Sequence, residues 1–105
     1  MSTLSTHVLD AVRGVPAQGV AVKLYHEASL LDSGTTDADG RIGALGDALS
    51  PGVYRLVFVT GAYFAGQRID TFYPEVCVAF VVTEERHYHV PLLLSPFAFS
   101  TYRGS

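Results

Sequence analysis

Two histidines near the end of this 105-residue chain, His87 and His89, have the type and spacing to do chemistry. They stand two positions apart in the stretch RHYHVPLLL, and large apolar residues alternate with them: Tyr88, Val90, Leu92 and Leu94. Residues two apart in a strand share a face, so the apolar set predicts a buried face and both histidines are predicted on the opposite face. Imidazoles exchange protons near neutral pH, and two on one face can act on the same solute. Strand parity does not choose between them.

The other two histidines separate by the same reasoning. His7, in STHVLD, alternates with Thr6 and Val8, which predicts that it also points outward from a well-patterned strand. His26 instead follows the apolar face of VAVKLYH to a strand end, and we interpret it as a structural side chain. His7 is therefore a candidate for chemistry and His26 is not.

A histidine metal site is the alternative to catalysis by imidazole. The pair at positions 87 and 89, together with His7, would supply three ligands for zinc if the two strands were neighbours. Spacing does not show that they are, and no cysteine or carboxylate cluster accompanies either stretch. We expect no metal and no cofactor, and the zinc alternative predicts that the purified protein contains stoichiometric metal.

Arg41 is a cation held directly after the turn sequence TDADG. Gly40 can take the positive φ that such a tight turn requires. One interpretation of Arg41 is a surface charge near Asp37 and Asp39. The other is an anion clamp, because the planar guanidinium fork suits a carboxylate or a developing oxyanion.

The elements that would position these residues are mostly strands. Short runs of period-two alternation, separated by turn sequences such as RGVPAQG and DADG, predict seven or eight strands in a single domain over residues 1–105. The stretch TGAYFAGQ is the one predicted helix. This pattern is typical of an antiparallel sandwich or a barrel, and the uneven loop lengths favour the sandwich.

Two of the predicted strands, VYRLVFV and VCVAFVV, are apolar on both faces. An antiparallel sheet with one solvated face should alternate more cleanly. We therefore expect the short helix, another subunit, or both to cover the outer face of one sheet.

Composition excludes several classes of partner. The net charge is −3 with 16% charged residues, so no basic surface is available for nucleic acid or an anionic membrane. The N-terminus lacks the features of a secretory signal, and no apolar run reaches the roughly 20 residues of a membrane span. The single cysteine, Cys77, is predicted in a strand. We expect a cytoplasmic protein that acts on a small molecule.

Four stretches in order along the chain resemble the transthyretin family, and within it the hydrolase branch. They are LSTHVLDAVRGVPA, TDADGR, FYPEV and HYHVPLLLSPFAFSTYRGS, which together span nearly the whole sequence. The resemblance implies an all-β, transthyretin-like antiparallel sandwich of about eight strands with one short helix. It also implies a homotetramer, a dimer of dimers, with the sites in a channel between dimers.

The same resemblance implies an activity and its residues. Hydrolase members open the ring of 5-hydroxyisourate to give 2-oxo-4-hydroxy-4-carboxy-5-ureidoimidazoline, whereas the carrier branch binds hormone without turnover. The residues at positions 7, 41 and 89 match the hydrolase pattern, which makes His7, Arg41 and His89 the expected catalytic set and leaves His87 a neighbour. The closing residues Tyr102, Arg103 and Ser105 are expected to contact substrate. Which histidine is the general base stays open.

Overall fold

The structure is a computed structural model that describes all residues, 1–105, as two β-sheets with one short helix. In chain order the elements are β1 (Thr3–Asp10), β2 (Val15–Pro16), β3 (Ala21–His26), β4 (Ser29–Thr35), β5 (Arg41–Ile42), β6 (Gly52–Phe58), α1 (Thr60–Ala65), β7 (Val76–Val82), β8 (His87–Ser95) and β9 (Ala98–Thr101). The predicted all-β sandwich is confirmed, as is the helix in TGAYFAGQ. No helix of the structure is long and apolar enough to cross a bilayer.

The order of strands determines which side chains meet. One sheet has the order β2-β1-β8-β9, with β5 also paired to β1, and the other has the order β4-β3-β6-β7. Every strand pair is antiparallel except β1 with β8, which is parallel and is the exception to the predicted arrangement. This pair joins the two ends of the chain, and its register sets Thr3 opposite His87 and Ser5 opposite His89.

The core lies between the sheets and follows the alternation in the sequence. Leu4, Val8, Leu56 and Leu92 are among its members that are almost completely buried. The core-facing positions of β1 and β8 are buried, whereas His7, His87 and His89 lie at intervening positions that are partly or fully exposed. The outward orientation predicted for the histidines of both strands is therefore confirmed.

The outer face of the second sheet is only partly covered. Val57 is buried there, but Val53 and Val81 are 59% and 56% exposed. The helix packs elsewhere, with Phe64 in the core and the Tyr63 hydroxyl donating to Asp10 Oδ2 at 2.8 Å. Coverage of Val53 and Val81 by the helix, one of the two predicted explanations, is not what the structure has.

The turn before β5 depends on Gly40, which has φ +74°. A methyl group here would overlap the Val8 carbonyl oxygen and approach the Ala17 nitrogen within 3.1 Å. Gly40→Ala is therefore expected to lower the free energy of unfolding by about 2 kcal/mol or more, because it adds backbone strain to a clash. Chemical denaturation measures this. Gly43→Ala is the control, since a Cβ at Gly43 meets nothing within 4 Å; equal losses from both variants would contradict the account.

Candidate active site

His89 lies half-buried at the centre of the outer face of the first sheet. Its Nδ1 is 2.7 Å from the Ser5 hydroxyl, and no protein group hydrogen-bonds its Nε2. Burial lowers the pKa of His89, and the charges of Arg41, His7 and His87 lower it further. The imidazole is thus held in its neutral form, with one ring nitrogen left to react.

Ser5 links the two histidines of β8. Its hydroxyl is 2.7 Å from His87 Nε2 as well as 2.7 Å from His89 Nδ1, and the Thr3 hydroxyl is 2.6 Å from His87 Nδ1. The sequence-based prediction did not identify Ser5 or Thr3. The available signal was that both share the outer-face parity of His7 on β1, but only the parallel register shows which histidine each one meets.

Arg41 is carried to the same face by the turn that ends at Gly40. The pairing of β5 with β1 sets Arg41 opposite His7. Asp37 organises the turn by accepting the backbone N–H groups of Asp39 and Arg41, and the bond from Arg41 is the main reason that its pKa is lowered. The guanidinium itself forms no ion pair within the chain. Its charge is therefore available to an anionic ligand.

His7 is oriented by the same turn. Its Nε2 is 2.9 Å from the carbonyl oxygen of Asp39. A carbonyl oxygen only accepts, so Nε2 carries the proton and Nδ1 of neutral His7 is an acceptor. The carbonyl of Asp39 therefore sets the tautomer of neutral His7, whereas the Ser5 hydroxyl, which can donate or accept, does not by itself set that of His89.

The C-terminal tail, residues 102–105, is anchored to the strand that carries His89. The Gly104 N–H donates to the His89 carbonyl at 2.9 Å. A Cβ at Gly104 would stand 2.5 Å from His89 Cδ2, so only glycine lets the tail backbone pass this close to the imidazole. The contact places Ser105 with Arg41, His87 and His89 on the wall of a cavity of about 310 Å³.

The remaining predicted residues, His7, Tyr102 and Arg103, do not line this cavity. Tyr102 and Arg103 line a neighbouring groove between β7 and the β8–β9 pair, which His89 also borders. Neither side chain forms a hydrogen bond within the chain, and the tail is anchored through Gly104. His26 stacks on the buried Tyr54 ring at a centroid distance of 4.7 Å, in accord with its structural interpretation.

The histidines are not arranged as a metal site. No group of three or more histidine, cysteine, aspartate or glutamate side chains has the geometry to hold a metal ion. His87 and His89 both direct ring nitrogens to the Ser5 hydroxyl, and His7 directs Nε2 to a carbonyl. The arrangement instead brings a neutral imidazole, a cation and the chain terminus to one cavity.

Comparison with known proteins gives a consistent family. The model of the HIUase/Transthyretin family matches residues 4–104. The 5-hydroxyisourate hydrolase of Salmonella dublin is 50% identical over 109 residues, which cover 97% of this chain and 80% of that protein. The solved 5-hydroxyisourate hydrolase of Klebsiella pneumoniae has a TM-score of 0.94 at 43% identity and covers 100% of this chain and 94% of its own.

A solved transthyretin structure is also similar. Sea bream transthyretin, solved in complex with thyroxine, has a TM-score of 0.89 at 37% identity and covers 96% of this chain and 93% of its own. The same sandwich therefore occurs in a hydrolase and in a thyroxine complex. The fold alone therefore does not determine which of the two a member of the family is.

Proposed function

The chain belongs to the HIUase/Transthyretin family, and from this premise we propose that it is a hydrolase that acts on 5-hydroxyisourate in urate degradation. The family resemblance found in the sequence is confirmed by the match over nearly the whole chain. The observation that carries the proposal is the convergence of His89, Arg41 and Ser105 on one cavity, with His7 beside Arg41. The reaction cleaves the cyclic acyl C–N bond and yields 2-oxo-4-hydroxy-4-carboxy-5-ureidoimidazoline.

His89 is the general base of this proposal. Its lowered pKa keeps the ring neutral at physiological pH, and its Nε2 has no partner within the protein. Nε2 takes a proton from water as the water oxygen attacks the carbonyl carbon, and returns that proton to the nitrogen that leaves. The proton comes back to the substrate, so the imidazole is unchanged at the end of the cycle.

Arg41 and His7 act on charge and position. The guanidinium attracts the anionic substrate and stabilises the negative charge that develops on the carbonyl oxygen at attack. The acceptor nitrogen of His7, opposite Arg41 in the ladder, orients the attacking water. Ser105 supplies a hydroxyl donor on the cavity wall, whereas Tyr102 and Arg103 contact the substrate from the adjoining groove.

The charge of Arg41 should be measurable in the titration of His89. Burial lowers the pKa of His89 most, and the positive charge of Arg41 is the next largest cause. Removing a positive charge stabilises the imidazolium, so the pKa of His89 is expected to rise in Arg41→Gln. NMR titration of the ring measures it, with the exposed Arg13→Gln as control. An unchanged His89 titration in Arg41→Gln would contradict the proposed proximity.

Isotope incorporation tests the reaction class. With substrate in ¹⁸O-water, the protein is expected to accelerate formation of a product that carries one ¹⁸O in its new carboxylate. The rate should scale with protein concentration, because the water oxygen forms the new C–O bond as the C–N bond breaks. A carrier like the thyroxine-bound relative would bind a planar ligand and leave the rate of ¹⁸O incorporation at that of buffer.

The assembly proposed with this activity is a homotetramer, a dimer of dimers. The exposed Val53 and Val81 on one sheet and Phe97 and Tyr102 near the edge strand β9 support contacts between copies. Sedimentation velocity is expected to give four times the 11.3 kDa monomer mass. A cytoplasmic location is proposed as well, supported by the exposed free thiol of Cys77, which a reducing compartment preserves.

A further inference from the structure

We propose that Ser5 and His87 are positioning residues for His89, joined to it in a directed hydrogen-bond chain that holds the His89 proton on Nδ1 and leaves Nε2 bare. This inference rests on the proposed function and deepens it by giving His87 a role. It starts from three contacts that run in series across β1 and β8. These are Thr3 Oγ1 to His87 Nδ1 at 2.6 Å, His87 Nε2 to Ser5 Oγ at 2.7 Å, and Ser5 Oγ to His89 Nδ1 at 2.7 Å.

The number of protons limits the directions these bonds can take. A neutral imidazole has one N–H donor and one acceptor nitrogen, and a serine hydroxyl has a single proton. Ser5 can donate to only one of its two histidines, so the other histidine must donate to Ser5. With both rings neutral, only two complete arrangements exist, and they run in opposite directions.

In the first arrangement the donors run outward from the cavity. His89 Nδ1–H donates to Ser5, the Ser5 hydroxyl donates to His87 Nε2, and His87 Nδ1–H donates to Thr3. Nε2 of His89 is then an unprotonated acceptor. In the second arrangement every bond reverses, and His89 Nε2 carries the proton and cannot act as a base.

The charge of the cavity favours the first arrangement. Arg41 and His89 line the same cavity, and the Arg41 charge opposes further positive charge on His89. A lone pair on the cavity side is attracted by that charge, whereas an N–H dipole is repelled by it. The first arrangement is also the one that the base step requires. During that step a water O–H bond breaks and an Nε2–H bond forms. The proton on Nδ1 stays there and remains hydrogen-bonded to the Ser5 oxygen.

Protonation of His87 should therefore remove the base form of His89 through Ser5, without direct contact between the two rings. A doubly protonated His87 ring donates from Nε2 to Ser5, so the Ser5 proton loses its acceptor and turns toward His89 Nδ1. His89 then carries its proton on Nε2 and loses its base form without gaining a second proton. The charged and titratable groups near the two rings are His7, Arg41, Glu84, Arg86, Tyr88, Tyr102, Arg103 and the terminal residue Ser105.

The kinetic test removes Ser5 or His87 from the hydrogen-bond series and then restores a single acceptor at position 87. Ser5→Ala and His87→Leu remove links of the chain and are expected to lower kcat about tenfold, the equivalent of one hydrogen bond. His87→Gln restores an acceptor oxygen that does not titrate, so it should recover most of that loss. The exposed Ser100→Ala, on the same sheet, is the control and should match wild type.

The pH profile separates positioning from a merely structural role. Each protonation that removes activity adds one to the limiting slope of log(kcat/KM) on the acid side, and in wild type protonation of His87 is expected to be one of them. In His87→Gln that contribution is absent, and the slope should be smaller by one than in wild type. A slope that is the same in both proteins overturns the coupling.

Nitrogen NMR of the His89 ring tests the tautomer without any substrate. In wild-type protein near pH 8, Nδ1 is expected to be protonated and Nε2 unprotonated, and Ser5→Ala should shift the proton toward Nε2. A wild-type ring protonated on Nε2 overturns the proposal. This signal does not depend on turnover. Failure of the proposed hydrolysis and failure of the proposed hydrogen-bond series are therefore distinguishable.

Discussion

Replacement of His89 by Asn is expected to lower kcat for 5-hydroxyisourate by about 10²–10⁴-fold, the usual worth of a positioned general base. Asn can still hydrogen-bond Ser5 through its amide, so the outer face should keep its shape. It cannot take a proton from water near neutral pH. Steady-state kinetics with substrate generated in situ measure the loss, and KM should change far less than kcat because Arg41 still binds the anion.

A second histidine variant makes this test specific. His26 lies at the other side of the sandwich, stacked on Tyr54 at 4.7 Å. His26→Asn is expected to alter stability and leave kcat of the folded protein at the wild-type value. If His89→Asn retained wild-type kcat, or if His26→Asn lost as much, the assignment of the base to His89 would be wrong.

Gly104→Ala is expected to lower kcat/KM by about 10²-fold while the sandwich stays folded. The added methyl would stand 2.5 Å from His89 Cδ2 and 3.1 Å from Cγ, so either the tail or the imidazole must move. A displacement of about 1 Å at a catalytic group is enough for a loss of this size. Kinetics and thermal denaturation of the same sample measure the two effects separately.

Deletion of residues 102–105 provides the companion to the Gly104 variant. It removes Ser105 from the cavity without forcing a clash on His89, and the fold should survive because these residues are not in the core. For the Gly104→Ala substitution, Gly66→Ala is the matched control, since a Cβ at Gly66 meets nothing closer than 3.6 Å. Loss of folding on deletion would mean that the tail is structural.

Much of the fold follows from alternation in the sequence. Period two correctly separates the outward His7, His87 and His89 from His26, because β1, β3 and the start of β8 each bury a single apolar face. The turn at Gly40 and the helix that begins at Thr60 are also predicted correctly, since their local signals are strong. These features depend on near neighbours in the chain.

The arrangement of the site depends on contacts between distant segments, which alternation does not encode. The parallel register of β1 and β8 links residues more than 80 positions apart, and only this register shows that Ser5 bridges the two histidines. The close approach of Gly104 to His89 is equally nonlocal. The roles of His7, Arg41 and His89 stay predictions that come from the family resemblance and are supported by this geometry.

The most direct test of the central claim is the decay of 5-hydroxyisourate, generated in situ from urate by urate oxidase, in the presence of the purified protein. The account predicts that decay accelerates in proportion to protein concentration and that the acceleration disappears with His89→Asn. Decay at the rate of buffer, with folded wild-type protein at any concentration, would contradict the claim that this outer face is a hydrolytic site.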